Sequence, residues 1–183
     1  MSGFVRELTT LCNDEQKARE AVLSGPEILS FKKGTLSEDE FWKTVNQKLG
    51  LSLTTSEYAD LLVKHYEVDP SIRAVVMKTR QLGYRSLICS NNFVTRISAL
   101  ENKFKFISDF DATVFSYEVG VMKPDIVIFR TLVEKSGLQP QEIVYADDKP
   151  ENVTGAQAVG IQAVTYTSFE EYCQFLISQG VGL

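Results

Sequence analysis

The chain has one histidine, His65, and three cysteines, Cys12, Cys89 and Cys173, too far apart to share a metal-ligand spacing. The cysteines therefore read as reduced thiols of a cytoplasmic protein, with Cys89 inside a strand. His65 stands beside Lys64 on a polar helical stretch and is expected to be exposed, not catalytic. No run approaches the roughly 18 apolar residues that a membrane span needs, and Met1-Ser-Gly-Phe-Val-Arg6 lacks a signal-peptide apolar core. Basic charge is not in excess either. With 19 Lys and Arg against 24 Asp and Glu the formal net charge is -5, which argues against a nucleic-acid-binding surface while allowing a local basic pocket. Low-complexity segments are absent, and 183 residues at 44% hydrophobic can bury a sizeable core.

What is present divides into two patterns. Residues 1–68 read as helical throughout, an N-terminal helical subdomain. Ser37-Glu-Asp-Glu40 is a capping box ahead of Phe41, Trp42, Val45 and Leu49, which share one helix face, and Gly50 stops the helix. Thr54-Thr-Ser-Glu57 repeats the device ahead of Tyr58, Leu61, Leu62 and Tyr66. Glu15 to Leu23 suits another helix, ended by Ser24-Gly25-Pro26. Phe41, Trp42 and Tyr58 are expected in the core and not against a ligand.

Residues 69–183 alternate helices with short apolar strands. The spacing predicts a helix after Asp69-Pro70, a strand over Ser86–Ser90, a helix over Val94–Asn102 and a strand over Phe110–Phe115. It continues with a helix over Asp125–Ser136, a strand over Ile143–Ala146, a helix over Pro150–Val159, a strand over Ile161–Tyr166 and a last helix capped by Ser168. The fold class is α/β, a Rossmann-like parallel sheet with helices on both faces. Such sheets bind ligands outside the carboxyl ends of their strands.

Three loops at those ends carry polar residues. Ser90-Asn91-Asn92 either makes an anion site from a hydroxyl and free backbone N–H groups, or merely turns the chain and caps the next helix. Lys123, before Pro124, is either a solvated charge or an ammonium placed to neutralise a phosphate and keep a carboxylate ionised. Asp147 and Asp148 are adjacent carboxylates at a strand exit; they suit Mg²⁺, or one of them caps the helix at Pro150 while the other is solvated. Asn152 can return to the same point from the first helical turn.

In this order the segments Gly34-Thr-Leu-Ser-Glu-Asp-Glu-Phe41, Cys89-Ser-Asn91, Tyr117-Glu-Val-Gly-Val-Met-Lys-Pro-Asp125 and Val144-Tyr-Ala-Asp-Asp-Lys-Pro-Glu-Asn-Val153 resemble the haloacid dehalogenase-like (HAD) hydrolases. The likeness runs from about Gly34 to Val164 and is greatest to the helical-cap branch, which includes the N-terminal phosphatase domain of soluble epoxide hydrolase and small bacterial sugar-phosphate phosphatases. It implies a HAD-like core with a helical cap, and a Mg²⁺-dependent phosphatase ancestry acting on small phosphorylated metabolites through an aspartyl phosphate. Ser90 and the Asn91 backbone would then hold the phosphoryl group and Lys123 would pair with phosphate and nucleophile. Asp148 would bind Mg²⁺, with Asp147 in its coordination shell or hydrogen-bond network and Asn152 fixing the loop.

The family's first motif, an apolar strand ending in Asp-x-Asp ahead of the cap, has no match before Ser37. The first Asp of that motif is the nucleophile. Asp109-Phe-Asp111 has its letters but precedes the apolar Val114-Phe115, and it falls between Ser90 and Lys123 with no room for a cap. The expectation is a degenerate site, catalytically impaired, or an N-terminally incomplete form of a longer enzyme. Loss of the central first strand would leave two unpaired sheet edges, so the sheet must close up, accept a substitute such as Phe4–Leu8, or borrow a strand through a partner or a homo-oligomer. A noncatalytic phosphate- or partner-binding module is the alternative. A dehalogenase is a weaker one, because its members use the same aspartate and need no metal.

Overall fold

The computed structural model describes residues 2–182; Met1 and Leu183, the outer bounds of the two expected segments, lie outside the described residues. In chain order the helices before the first strand are α1 (Ser2–Cys12), α2 (Glu15–Leu23), α3 (Pro26–Lys32), α4 (Glu38–Leu49), α5 (Thr55–Val63) and α6 (Pro70–Gln81). There follow β1 (Leu87–Ser90), α7 (Val94–Phe104), β2 (Ala112–Phe115), α8 (Ser116–Val119) and α9 (Ile126–Ser136). The chain ends with β3 (Val144–Asp147), α10 (Pro150–Gln157), β4 (Gln162–Thr165) and α11 (Phe169–Ser178). They divide into two compact units. One is residues 1–67, 91–106 and 116–120, and the other is residues 68–90, 107–115 and 121–183.

The first unit is helical. Both capping boxes form as their sequences dictate: Ser37 exchanges hydrogen bonds with Glu40 and Thr54 with Glu57, satisfying N–H groups that a helix start leaves without partners. Phe41, Trp42, Val45 and Leu49 turn inward from α4. Trp42 stacks on Tyr58 with centroids 4.2 Å apart. Its indole N–H donates to Thr95 Oγ1 at 2.9 Å, while Tyr58 donates to Asn46 Oδ1 at 2.8 Å, so neither aromatic buries an unmet polar tip. Burial of each such ring contributes about 1.5–3 kcal/mol, and Phe41, Trp42 and Tyr58 all lie in the core. Pro26 opens α3 at its first turn; the proline that reads as a helix stop is also a helix start. Phe4 to Leu8 lie in α1, so this segment is not the substitute strand. His65 is exposed, as its polar helical setting implies, with its Nε2 2.6 Å from Glu7 Oε1.

The second unit is the α/β core. Its strands form two parallel pairs, β1 with β2 and β3 with β4; among the described residues no ladder joins β1 to β3. The hydrogen bonds fix which way each edge faces. Asp111 N–H donates to the Ser86 carbonyl at 2.7 Å, so by alternation Ile88 and Ser90 address β2 while Leu87 and Cys89 present their main-chain groups on the other side. The Ile143 and Asp147 carbonyls accept from the amides of Gln162 and Tyr166, so Val144 and Ala146 likewise turn their main-chain groups away from β4. The parallel sheet is thus split into halves, each with an inner edge.

Asp109 and Asp111 have structural partners at the amino end of β2. Asp111 accepts from Arg80 at 3.1 Å and from the Ser86 amide at 2.8 Å, Arg80 also donates to the Asp109 carbonyl, and Arg73 lies 3.5 Å from the Asp109 carboxylate. The Asp-x-Asp letters therefore stand at the opposite end of the strand from the carboxyl edge.

Candidate functional site

The carboxyl edge of the second unit is organised around Asp147, the last residue of β3, which is 7% exposed. Period-two alternation puts Tyr145 and Asp147 on the same face of β3. The Tyr145 hydroxyl donates to Asp147 Oδ2 at 2.5 Å, and Lys123 Nζ donates to the same oxygen at 2.6 Å. Oδ1 accepts from the Lys149 amide at 3.0 Å and from Asn152 Nδ2 at 2.8 Å. The lone pairs of the carboxylate are accordingly occupied. Burial by itself would raise its pKa, but the hydrogen bonds from Lys123, Tyr145, Asn152 and the Lys149 amide outweigh burial and hold the group at about 2.

Lys123 is equally constrained. Besides Asp147, its ammonium donates to the Cys89 carbonyl at 2.8 Å and to the Tyr145 hydroxyl at 2.9 Å, which uses its three N–H bonds. Its side chain is 9% exposed and that of Asp147 5%, so the pair is a buried salt bridge satisfied on all sides. Burial pushes the Cys89 thiol up to about 12, with Lys123 opposing and Asp147 adding to the rise, so Cys89 is no nucleophile. Burial, helped by the bond to Asp147, also raises Tyr145 and keeps it a neutral donor.

The lysine loop is seated by packing. Gly155 on α10 approaches it so closely that a Cβ there would lie 2.5 Å from the Pro124 carbonyl oxygen and 2.8 Å from the Phe129 ring. Phe129 meets the Tyr145 ring edge to face at 5.5 Å. Asp125 caps α9 by accepting from the Val127 amide, and this fixes the chain directly after Lys123-Pro124.

Lys123, Asp147 and Asn152 are therefore brought into one network. Ser90 ends β1 one residue beyond the carbonyl that Lys123 binds, at the same carboxyl end of the strand. Asn91 opens the segment 91–106 of the helical unit. Asp148 is exposed and makes no hydrogen bond or ion pair among the described residues. Tyr145, the Cys89 carbonyl and the Lys149 amide were not singled out in the sequence. A tyrosine two residues before a strand-end aspartate, on the same face, is the signal that could have found the first.

Among the described residues no group of three or more His, Cys, Asp and Glu side chains is placed to hold a metal ion. Asp148 is one free carboxylate and Asp147 has its lone pairs taken, a set too small for Mg²⁺ by itself.

Comparison with known proteins identifies the family and the fold. The sequence model of the haloacid dehalogenase-like hydrolases matches residues 10–160. The chain is 28% identical over 148 residues to mouse acyl-CoA dehydrogenase family member 10, which covers 77% of this chain but 14% of that protein. It is 26% identical over 137 residues to D-ribitol-5-phosphate phosphatase of Bacteroides thetaiotaomicron, covering 72% of this chain and 66% of that one. A HAD family enzyme of the same bacterium, crystallised in complex with magnesium and inorganic phosphate, superposes with a TM-score of 0.78 at 20% identity, covering 94% of this chain and 89% of the other. That likeness is one of fold.

Proposed function

This chain belongs to the haloacid dehalogenase-like hydrolase family, and on that premise we propose that its carboxyl edge binds the phosphoryl group of a small phosphorylated metabolite and turns it over poorly or not at all. The observation that carries the reading is the ammonium of Lys123, pinned by Asp147 at the strand ends beside Ser90. A buried cation at the mouth of a parallel sheet attracts a dianionic phosphate, and the strand-end hydroxyl of Ser90 supplies a donor to its oxygens.

The same network accounts for the expected lack of turnover. An incoming phosphate must displace the Cys89 carbonyl or the Tyr145 hydroxyl from Lys123, because no ammonium N–H is spare. A covalent route needs an ionised carboxylate with a free lone pair facing phosphorus. Asp147 is ionised but saturated, and Asp109 and Asp111 stand at the other end of β2. Mg²⁺ enters only as a weakly held ion shared between Asp148 and the bound phosphate. The small phosphorylated substrate class is proposed from the family and from relatives such as D-ribitol-5-phosphate phosphatase.

The test pairs binding with turnover on the whole chain. Inorganic phosphate is expected to raise the melting temperature of the protein, an effect lost in Ser90→Ala, while a panel of small phosphomonoesters with Mg²⁺ gives no release of phosphate above background. Robust hydrolysis abolished by Asp109→Asn would return the catalytic role to the Asp109-Phe-Asp111 pair. A melting temperature indifferent to phosphate would remove the binding reading.

A further inference from the structure

Lys123 divides its N–H bonds among the Asp147 carboxylate at 2.6 Å, the Cys89 carbonyl at 2.8 Å and the Tyr145 hydroxyl at 2.9 Å. These acceptors differ in what each would lose. Parting Lys123 from Asp147 leaves a buried ammonium and a buried carboxylate uncompensated, with a dianion arriving beside the carboxylate. The Cys89 carbonyl points away from β2, and Cys89 lines a cavity of about 500 Å³ with mostly apolar walls, Leu87 and Val144 among them. Without Lys123 that acceptor meets no neighbouring strand on its side among the described residues, and it bears the cost of desolvation. The Tyr145 hydroxyl keeps a strong partner, because its own proton already goes to Asp147 Oδ2 at 2.5 Å. Its ring is held edge to face by Phe129 at 5.5 Å, so the ammonium turns and the ring stays.

We infer that Tyr145 is a built-in competitor of the phosphate ligand: its hydroxyl occupies the Lys123 N–H that the phosphate takes over, and it thereby sets the affinity of the site. The inference rests on the phosphate-binding reading of the same edge and adds to it which contact yields and in which direction a substitution moves binding. In the bound state Lys123 keeps Asp147 and the Cys89 carbonyl and turns its third N–H to a phosphate oxygen, while Tyr145 keeps its bond to Asp147. No proton changes hands. One hydrogen bond from the ammonium to a neutral hydroxyl is exchanged for one to a charged oxygen, which is the stronger of the two. An uncharged ligand offers Lys123 no better acceptor than the phenol it would displace, so the exchange selects for anions. Tyr145→Phe removes the competing oxygen and retains the ring that packs on Phe129.

The test titrates inorganic phosphate into wild type and Tyr145→Phe, each as the full chain, and follows binding by calorimetry. Tyr145→Phe is expected to bind phosphate about tenfold more tightly, the competing hydrogen bond to a charged group being gone. A second measurement uses wild type alone and stands even if the variant does not fold. The carbonyl ¹³C resonance of Cys89, singled out by ¹⁵N at the following Ser90, is expected to hold its place on phosphate addition while a tyrosine ¹³Cζ resonance moves. Equal or weaker binding by a folded Tyr145→Phe, with phosphate still bound by wild type, would overturn the competitor role and leave the phosphate-binding reading standing. A shift of the Cys89 carbonyl with every tyrosine unmoved would do the same, making that carbonyl the group displaced. Saturable binding by neither protein would remove both readings, whereas binding by Tyr145→Phe alone would support the inference in its strongest form.

Discussion

Lys123 donates a hydrogen bond to the main-chain carbonyl of Cys89 at 2.8 Å, so a side chain takes an acceptor on a strand edge that would ordinarily belong to a neighbouring strand. The same ammonium holds Asp147 at 2.6 Å on the other half of the sheet. One residue thus ties the carboxyl ends of two strands that share no ladder.

Removing either partner should expose how much this tie contributes. Lys123→Met leaves a buried, ionised carboxylate, and Asp147→Asn leaves a buried ammonium; each is expected to destabilise the protein by about 3–5 kcal/mol. The double variant should lose much less than the sum, because no uncompensated charge remains. Urea unfolding of the four proteins measures this, and strict additivity would contradict a coupled buried pair.

Acid should act through Asp147. Its pKa is depressed from the ordinary 3.8 to about 2, so its ionisation stabilises the fold above the unfolded-state value, and that contribution is lost as pH falls through about 2. The displacement is worth about 2 kcal/mol. The stability difference between wild type and Asp147→Asn is expected to be constant above pH ~5 and to shrink below it. A difference that grows on acidification would mean that the carboxyl group is protonated in the native state.

Gly155→Ala should disturb the lysine loop from a distance. Its new Cβ would meet the Pro124 carbonyl oxygen at 2.5 Å, too close for an unshifted backbone. We expect a loss of about 1–3 kcal/mol, typical of overpacking. The phosphate-induced rise in melting temperature should weaken as well, although residue 155 itself has no phosphate-binding group.

Asp111→Ala separates architecture from chemistry. It leaves the Ser86 amide without its acceptor and takes from Arg80 one of its two, the Asp109 carbonyl remaining, and should cost about 1–3 kcal/mol. The phosphate effect on melting temperature at saturating phosphate should persist in the folded variant, and its disappearance would place Asp111 in the site.

The helical segments were legible because their determinants are local. Ser37 with Glu40, Thr54 with Glu57 and Asp69 before Pro70 are caps whose partners lie within three residues. The strands were legible as short apolar runs, although β2 begins at Ala112, two residues later than Phe110-Phe115 implies, because Asp111 is held by Arg80 and Ser86. The second start inside Ser24-Gly25-Pro26 was obscured, since proline marks a helix beginning as well as an end.

The sequence by itself determined an α/β chain with a helical segment, the four short strands, the order Ser90, Lys123, Asp147, and the lack of an Asp-x-Asp strand ahead of them. These follow from side-chain periodicity, capping chemistry and spacing, all of which act over a few residues. Only the tertiary structure decided that Asp147 is a saturated anchor for Lys123, that Tyr145 and the Cys89 carbonyl complete that network, and that the sheet stays split around an apolar cavity. Those outcomes depend on which main-chain edges go unpaired and on where long side chains find partners, contacts between residues 22 to 34 positions apart in the chain.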